Sequence, residues 1–389
     1  MSMARRSVKV AYDPWLLFAA CSLLGLGLVM VSSSSIPIAE GKGLSTFYYA
    51  YHQFAYMMAG FFVAWVLTFI PVRIWQALSM PLLLCSIASL SVLLVPGISR
   101  RVNGSIRWLQ IGPISLQVSE FVKLALIIYM SSYLVRHQNE VLNRVTGFLK
   151  PMGILAIICS LLLMEPDFGA AVVISATLMG MMFLGGVQLR HFVFLLLIVL
   201  LGLAFLSVSS SYRVQRLTSF LNPWEDQFNT GYQLTQALIA FGRGAWFGTG
   251  LGGSIQKLLY LPEPHTDFLF AVLAEELGLM GAMAVLLLFC LLVGRAMKIG
   301  REALNNGQGF AGFLAYGIGL WLGTQTLINI GVNVGVLPTK GLTLPLMSYG
   351  GSSMMVGLAA LGLLLRVHFE NYLQSQTKVT AKNNYPGRR

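Results

Sequence analysis

Charge is what this chain has least of. Asp, Glu, Lys and Arg make up only 10% of its 389 residues, hydrophobic residues make up 56%, and the mean hydropathy is +0.73. Such a composition excludes a water-soluble globular domain. Cysteine is also sparse: Cys21, Cys85, Cys159 and Cys290 all lie inside apolar runs and lack metal-ligand spacing. They read as packing residues, so neither a disulfide framework nor a zinc site is implied. Acids are the scarcest charged class, 14 against 26 bases, for a formal charge of +12. That excess could suggest nucleic acid as a partner, but its distribution follows membrane topology and no nucleic acid is expected.

What the chain has in quantity is apolar runs. On the window of about 20 residues that a bilayer core demands, about ten spans are expected: 14–33, 52–71, 77–96, 119–136, 151–165, 168–187, 191–209, 267–295, 309–331 and 350–366. The fold expected is therefore an all-α polytopic membrane protein with a large outer loop between the seventh and eighth spans. The first run lacks a small-residue cleavage site and is read as a retained helix, with Ser32 to Ser35 as a loop after it. With the N-terminus inside, sixteen of the 26 basic residues fall on inner loops and tails and nine on the outer side, while Lys123 lies within a span. The inner excess places both termini in the cytoplasm. The whole of 1–389 reads as a single membrane domain, comprising a cytoplasmic segment 1–13, an outer loop 210–266 with interfacial helices, and a polar, basic, unstructured cytoplasmic tail 367–389.

The polar residues that remain are concentrated toward the outer side. Leu261-Pro262-Glu263-Pro264-His265-Thr266-Asp267-Phe268 runs into an apolar helix carrying Glu275 and Glu276. Asp267 thus sits where water meets membrane, where a carboxylate is costly unless paired or used. It could equally cap the helix that follows. Ser119 reads as an N-cap, and Glu120 and Lys123, three apart, share one helix face as an ion pair that must line protein or a wet cavity. Glu165-Pro166-Asp167-Phe168-Gly169 is a tight turn holding two acids at membrane level. In the outer loop, residues 212–221 and 234–241 have amphipathic spacing. Gly248-Thr249-Gly250-Leu251-Gly252-Gly253 matches a dinucleotide fingerprint by letter, but no strand precedes it; it reads as a loop for close backbone approach to a ligand or for flap motion.

Four stretches together carry a resemblance: Gln117 to Lys123, Glu165 to Gly169, His265 to Phe268 with Glu275-Glu276-Leu277-Gly278, and Asn333 to Ser353. They resemble those of the SEDS family (shape, elongation, division and sporulation) of integral-membrane peptidoglycan glycosyltransferases. Pro338-Thr339-Lys340-Gly341 and the Leu261-Pro262-Glu263 lead-in are more similar to the cell-division member than to the rod-elongation member. Val118 departs from the pattern, in which proline precedes the Ser-Glu pair. The resemblance implies a lipid II polymerase in the bacterial inner membrane at the division septum, acting on lipid II and a nascent glycan strand. Asp267 would be catalytic, as a general base. Arg107, Arg243 and Lys340 would face the leaving undecaprenyl pyrophosphate, and Glu120, Lys123, Asp167 and His265 would complete the substrate-contacting set. No cofactor is implied with certainty; a divalent cation, Mg or Mn, would have Asp267 as its one candidate ligand. The partners implied are a class B penicillin-binding protein transpeptidase of the FtsI type and division regulators of the FtsQ, FtsL, FtsB and FtsN type. Two other functions fit the same spans and interior charges: a lipid II flippase, and a non-catalytic scaffold that recruits the transpeptidase.

Overall fold

The structure, a computed structural model, describes residues 12–95, 99–102, 105–111, 114–188, 190, 192–194, 196, 197, 201, 202, 208, 220, 222–229, 231–338 and 341–384. In chain order its elements are α1 (Pro14–Gly41), α2 (Tyr48–Phe69), α3 (Val72–Ala77), α4 (Ser79–Leu93), β1 (Ser99–Val102), β2 (Ser105–Ile111), β3 (Ile114–Gln117), α5 (Val118–Arg136), α6 (Gln138–Asn143), α7 (Thr146–Met164), α8 (Phe168–Leu184), α9 (Tyr232–Gly244), α10 (Leu269–Asn305), α11 (Gly309–Asn333) and α12 (Gly351–Asn384). Seven described helices, α1, α2, α5, α7, α10, α11 and α12, are long and apolar enough to cross a membrane, and α4 and α8 are shorter apolar helices. This is a multi-pass membrane protein. Nine of the ten expected spans coincide with these helices; the span at 191–209 and the amphipathic segment 212–221 lie largely outside the described residues.

The interior is built around α5 and α11. Every residue of α5 from Leu124 to Leu134 is buried, and α11 is buried through most of its length. A helix buried on all sides has no polar face to spare, so the few polar side chains on these two must find partners in one another or in the loops.

Three local expectations are corrected, and one small element is added. Ser32 to Ser35 do not form a loop: α1 continues to Gly41, since Ser32 bonds back to Leu28 O at 2.6 Å and Ser33 bonds across to Glu276. The membrane spans are helical as expected, and Ser99–Val102, Ser105–Ile111 and Ile114–Gln117 add a small three-stranded antiparallel sheet in the order β1-β2-β3. Ser119 does not cap α5, which begins at Val118 directly from β3; the Gln117 N–H donates instead to Ser352 Oγ at the start of α12 (2.8 Å). The tail after Arg366 is helical to Asn384, where Glu370 accepts from Val72 N and Arg366 Nε, and Asn371 donates to Ile299 O.

The glycine-rich run has a use that its letters conceal. Helix α10 is broken at Gly278 (φ 69°, ψ −171°). Across the break the Leu279 and Met280 N–H groups donate to Ala245 O (2.9 Å) and Trp246 O (3.1 Å). The Thr249 and Gly250 N–H groups donate to Glu275 O (2.9 Å) and Glu276 O (3.0 Å). Residues 245–250 therefore supply the hydrogen bonds that the broken helix has lost, as a break at membrane depth requires. A Cβ on Gly248 would stand 2.2 Å from Glu276 O, and one on Gly278 2.4 Å from Gly248 N. The close backbone approach expected of this run is made, to the protein's own helix.

Candidate active site

Asp267 lies in the last turn of the loop before α10 and is half-buried. The loop conformation is set by Glu263, whose carbonyl accepts from Thr266 N (3.2 Å) and Phe268 N (3.4 Å). The backbone carbonyl of Asp267 is gripped by two amides of α11: Asn329 Nδ2 and Asn333 Nδ2 each donate to it at 3.0 Å. Asn329 also donates to Leu342 O (2.5 Å), tying the loop after α11 to the loop before α10. Asn333 Oδ1 accepts from Ala271 N at 3.1 Å, so an amide from another helix satisfies a first-turn N–H of α10. The N-cap residue of α10 is Phe268 and it makes no side-chain capping bond. Asp267 is therefore not the N-cap residue of α10.

The Asp267 side chain points to Gly341. A Cβ built on Gly341 would lie 3.3 Å from Asp267 Oδ2 and 3.9 Å from Arg107 Nη1. The carboxylate and the guanidinium thus close on the same point, from the loop before α10 and from β2. Arg107 is anchored there by Nη2, which donates to Pro166 O, and by an ion pair with Asp167 at 3.9 Å. Asp167 is the N-cap of α8, accepting from Ala170 N at 3.2 Å. The turn before α8 therefore positions the arginine through both a carbonyl and a carboxylate.

Below this point the polar lining continues inward. Glu120, Asp167, Gln117, Ser119 and Thr343 line a cavity of about 30 Å³ beneath Gly341, room for about one water molecule. Glu120 and Lys123 form the expected ion pair at 2.8 Å, both fully buried. Lys123 Nζ also donates to Gln325 Oε1 (2.7 Å), which accepts from Trp321 Nε1 (2.8 Å) as well, while Gln325 Nε2 donates to Thr343 O (3.0 Å). Desolvating two charges is offset only by such additional hydrogen bonds. The pair braces the loop beneath Gly341 and reaches the site through Glu120.

Glu165, beside Asp167 in the turn, is 1% exposed, and neither of its carboxyl oxygens has a hydrogen-bond partner. Burial, reinforced by the neighbouring Asp167 charge and only partly opposed by Arg107, pushes its pKa up to about 8. Its protonated form is thereby favoured more than that of an exposed glutamate. His265 is buried in an aromatic cluster, its ring centroid 4.8 Å from that of Tyr49 and 5.4 Å from that of Tyr349. Burial pushes its pKa down to about 4, which makes the imidazole neutral.

The remaining expected residues fall elsewhere. Arg243 lies in the last turn of α9, with its Nε 3.4 Å from Glu275 Oε1. Lys340 lies outside the described residues. Glu275 and Glu276 hold the glycine-rich segment, through Ser254, Ile255 N and Gln256 N for Glu275 and through Ser33 and Lys257 for Glu276. Asn329, Asn333 and Gln325 were not singled out by sequence reasoning. Their signal was present: three amides at four-residue intervals inside an apolar span share a face and require partners there.

A profile of the FtsW, RodA and SpoVE cell cycle proteins matches residues 14–373. The chain belongs to that family. A probable peptidoglycan glycosyltransferase FtsW of Legionella pneumophila is 54% identical over 364 residues, covering 94% of this chain and 92% of the relative. One of Coxiella burnetii is 53% identical over 366 residues, covering 94% and 98%. Among solved structures, a chain of a peptidoglycan synthase complex that coordinates polymerization and crosslinking superposes with a TM-score of 0.75 at 30% identity, covering 93% of this chain and 99% of that one. The rod shape determining protein RodA of Thermus thermophilus superposes with a TM-score of 0.69 at 29% identity, covering 93% and 98%.

Proposed function

We propose that this chain is a peptidoglycan glycosyltransferase that polymerises lipid II into β-1,4 glycan at the outer face of the inner membrane, in septal wall synthesis. The observation that carries the reading is the convergence of Asp267 and Arg107 on Gly341, with the Asp267 backbone clamped by Asn329 and Asn333. The names of its relatives agree with it.

Joining an α-linked donor to an acceptor 4-hydroxyl through a β bond inverts the anomeric carbon, which one displacement accomplishes. Asp267 takes the hydroxyl proton as the acceptor oxygen bonds to the anomeric carbon. The bond from that carbon to the pyrophosphate oxygen breaks, and its electron pair departs with undecaprenyl pyrophosphate. Arg107 compensates the charge that develops on the leaving group. Pyrophosphate leaves readily, so no protein acid is needed on that side. Burial favours the protonated form of Glu165, so the charged neighbour of the guanidinium in the turn is Asp167. A cation, Mg or Mn, would add charge compensation at the pyrophosphate. Its candidate protein ligand would be Asp267 alone; no three His, Cys, Asp or Glu side chains gather beside it among the described residues.

The solved relative that belongs to a synthase complex supports pairing with a class B penicillin-binding protein transpeptidase, and the FtsW names support a place among the division regulators. The test is glycan polymerisation from purified lipid II by the protein reconstituted with that transpeptidase, wild type against Asp267→Asn. Polymer from the wild type and a loss of about 10²- to 10⁴-fold in the variant are expected. Equal polymer from both would remove Asp267 as the base. No polymer from the wild type, with faster lipid II crossing in proteoliposomes, would replace the enzyme by a flippase.

A further inference from the structure

The segment between α9 and the loop that carries Asp267 is turned inside out. From Ala245 to Tyr260 its polar side chains point inward: Ser254 Oγ donates to Glu275 Oε2, Lys257 Nζ donates to Glu276 Oε1 (2.7 Å) and Ser33 Oγ (2.8 Å), and Thr249 Oγ1 donates to Glu275 O (3.1 Å). Lys257 is the one charged residue of the segment, and it is only 6% exposed. The apolar side chains point the other way. Trp246, Phe247, Leu251, Leu258, Leu259 and Tyr260 are all exposed, Phe247 to 80%. An apolar patch of this kind marks a surface that meets something other than water.

Two helices fix the height of the segment. At one end of the bundle Arg295 of α10 pairs with Asp13, the N-cap of α1. At the other, Ser33 of α1 and Glu276 of α10 meet at Lys257. Ser33 is about 29 Å along α1 from Pro14, and Glu276 is about 29 Å along α10 from Arg295. A hydrocarbon core is about 30 Å thick. The segment therefore lies at the edge of the hydrocarbon and not out in the water. It is also continuous with the side of a membrane-spanning helix. Leu279 N–H donates to Ala245 O and Met280 N–H to Trp246 O, while Leu279, Met280, Met283 and Leu287 form an exposed apolar face of α10. Trp246 and Tyr260 are the residue types favoured where lipid chains meet headgroups.

We propose that residues 245–260 form a membrane anchor, which seats Trp246, Phe247 and Leu258 among the lipid chains of the leaflet at the Asp267 end while its polar side chains clasp α1 and α10. Its partner is the bilayer itself. The inference does not depend on the chemistry proposed for Asp267, but it bears on where that residue stands. Leu261 N–H donates to Gln256 O (2.8 Å), so the Asp267 loop leaves directly from the anchored segment and is held at the membrane surface.

The test is tryptophan fluorescence of the full-length protein in proteoliposomes, wild type less Trp246→Phe, so that the difference is the emission of Trp246. That emission should lose most of its intensity in lipids brominated on the upper part of the acyl chain and should be unaffected by iodide in the water. Leu258→Trp, added to the Trp246→Phe background, should contribute an emission with the same behaviour, and melting curves establish that both variants fold. Quenching by iodide with none by brominated lipid, at either position, would put the segment in water and overturn the anchor. Protection from both quenchers would overturn it as well, because protein, from a partner or a second copy of this chain, would then cover the patch.

Discussion

Two groups of acids share the Asp267 end of the bundle, and they are treated in opposite ways. Glu275 and Glu276 are fully buried and every carboxylate oxygen has a partner: Ser254, Ile255 N, Gln256 N and Arg243 for the first, Ser33 and Lys257 for the second. In the turn before α8, Glu165 has no hydrogen bond at either oxygen, and Asp167 Oδ2 and Arg107 Nε also lack one. The first group closes a break in a helix and pins a loop. The second is left under-bonded around a point where Asp267 and Arg107 converge. Buried polar groups in a finished scaffold are mostly satisfied, and on the function proposed above the contrast divides the residues that hold shape from those that would meet substrate.

The comparison can be broken most directly at Lys257. Lys257→Met leaves Glu276 buried without its cation, which should cost about 3–5 kcal/mol and appear as lost thermal stability in detergent. Adding Glu276→Gln should recover part of that loss, because the orphaned charge is then gone. Gly248→Ala should cost about 3 kcal/mol, from a left-handed backbone and a Cβ driven against Glu276 O, and it should fail without any change in charge. The smallest effect is expected at Glu165. Its carboxyl is held up to about 8 in the folded protein against an ordinary value of 4.5, so the folded state keeps a proton that the unfolded chain releases. Its contribution to stability therefore falls as pH rises from 4.5 through about 8. Glu165→Gln should abolish that part of the pH dependence, melting later than the wild type at pH 8 and showing little difference at pH 4.5. A variant that is destabilised equally at both pH values would show that Glu165 is a structural acid like Glu276.

Much of this division was legible in the chain itself. Apolar runs mark the helices because a bilayer imposes their length, and Asp267, Glu120, Lys123 and Asp167 stand out because charge is rare there. The partner of each charge was less legible. Arg243 is a cation on the same outer loop as Asp267, but only the path of α9 across α10 turns it to Glu275. The glycine run from 242 to 253 signals close backbone approach without naming what is approached, since the carbonyls it covers are freed by Gly278, some thirty residues later. The sheet at 99–117 was hidden by its shortness and its glycines, and the helical tail by its polarity; both are held by contacts distant in sequence.

The division itself is tested most directly by measuring two quantities on two proteins: melting temperature and glycan polymerisation for Asp267→Asn and for Glu276→Gln. The account predicts that Asp267→Asn melts with the wild type and makes almost no polymer, because the fold holds its backbone carbonyl through Asn329 and Asn333. It predicts that Glu276→Gln melts early and retains polymerisation at temperatures where it is folded. If Asp267→Asn instead melted as early as Glu276→Gln and regained polymer on cooling, Asp267 would belong to the scaffold, and the site would have to be sought elsewhere.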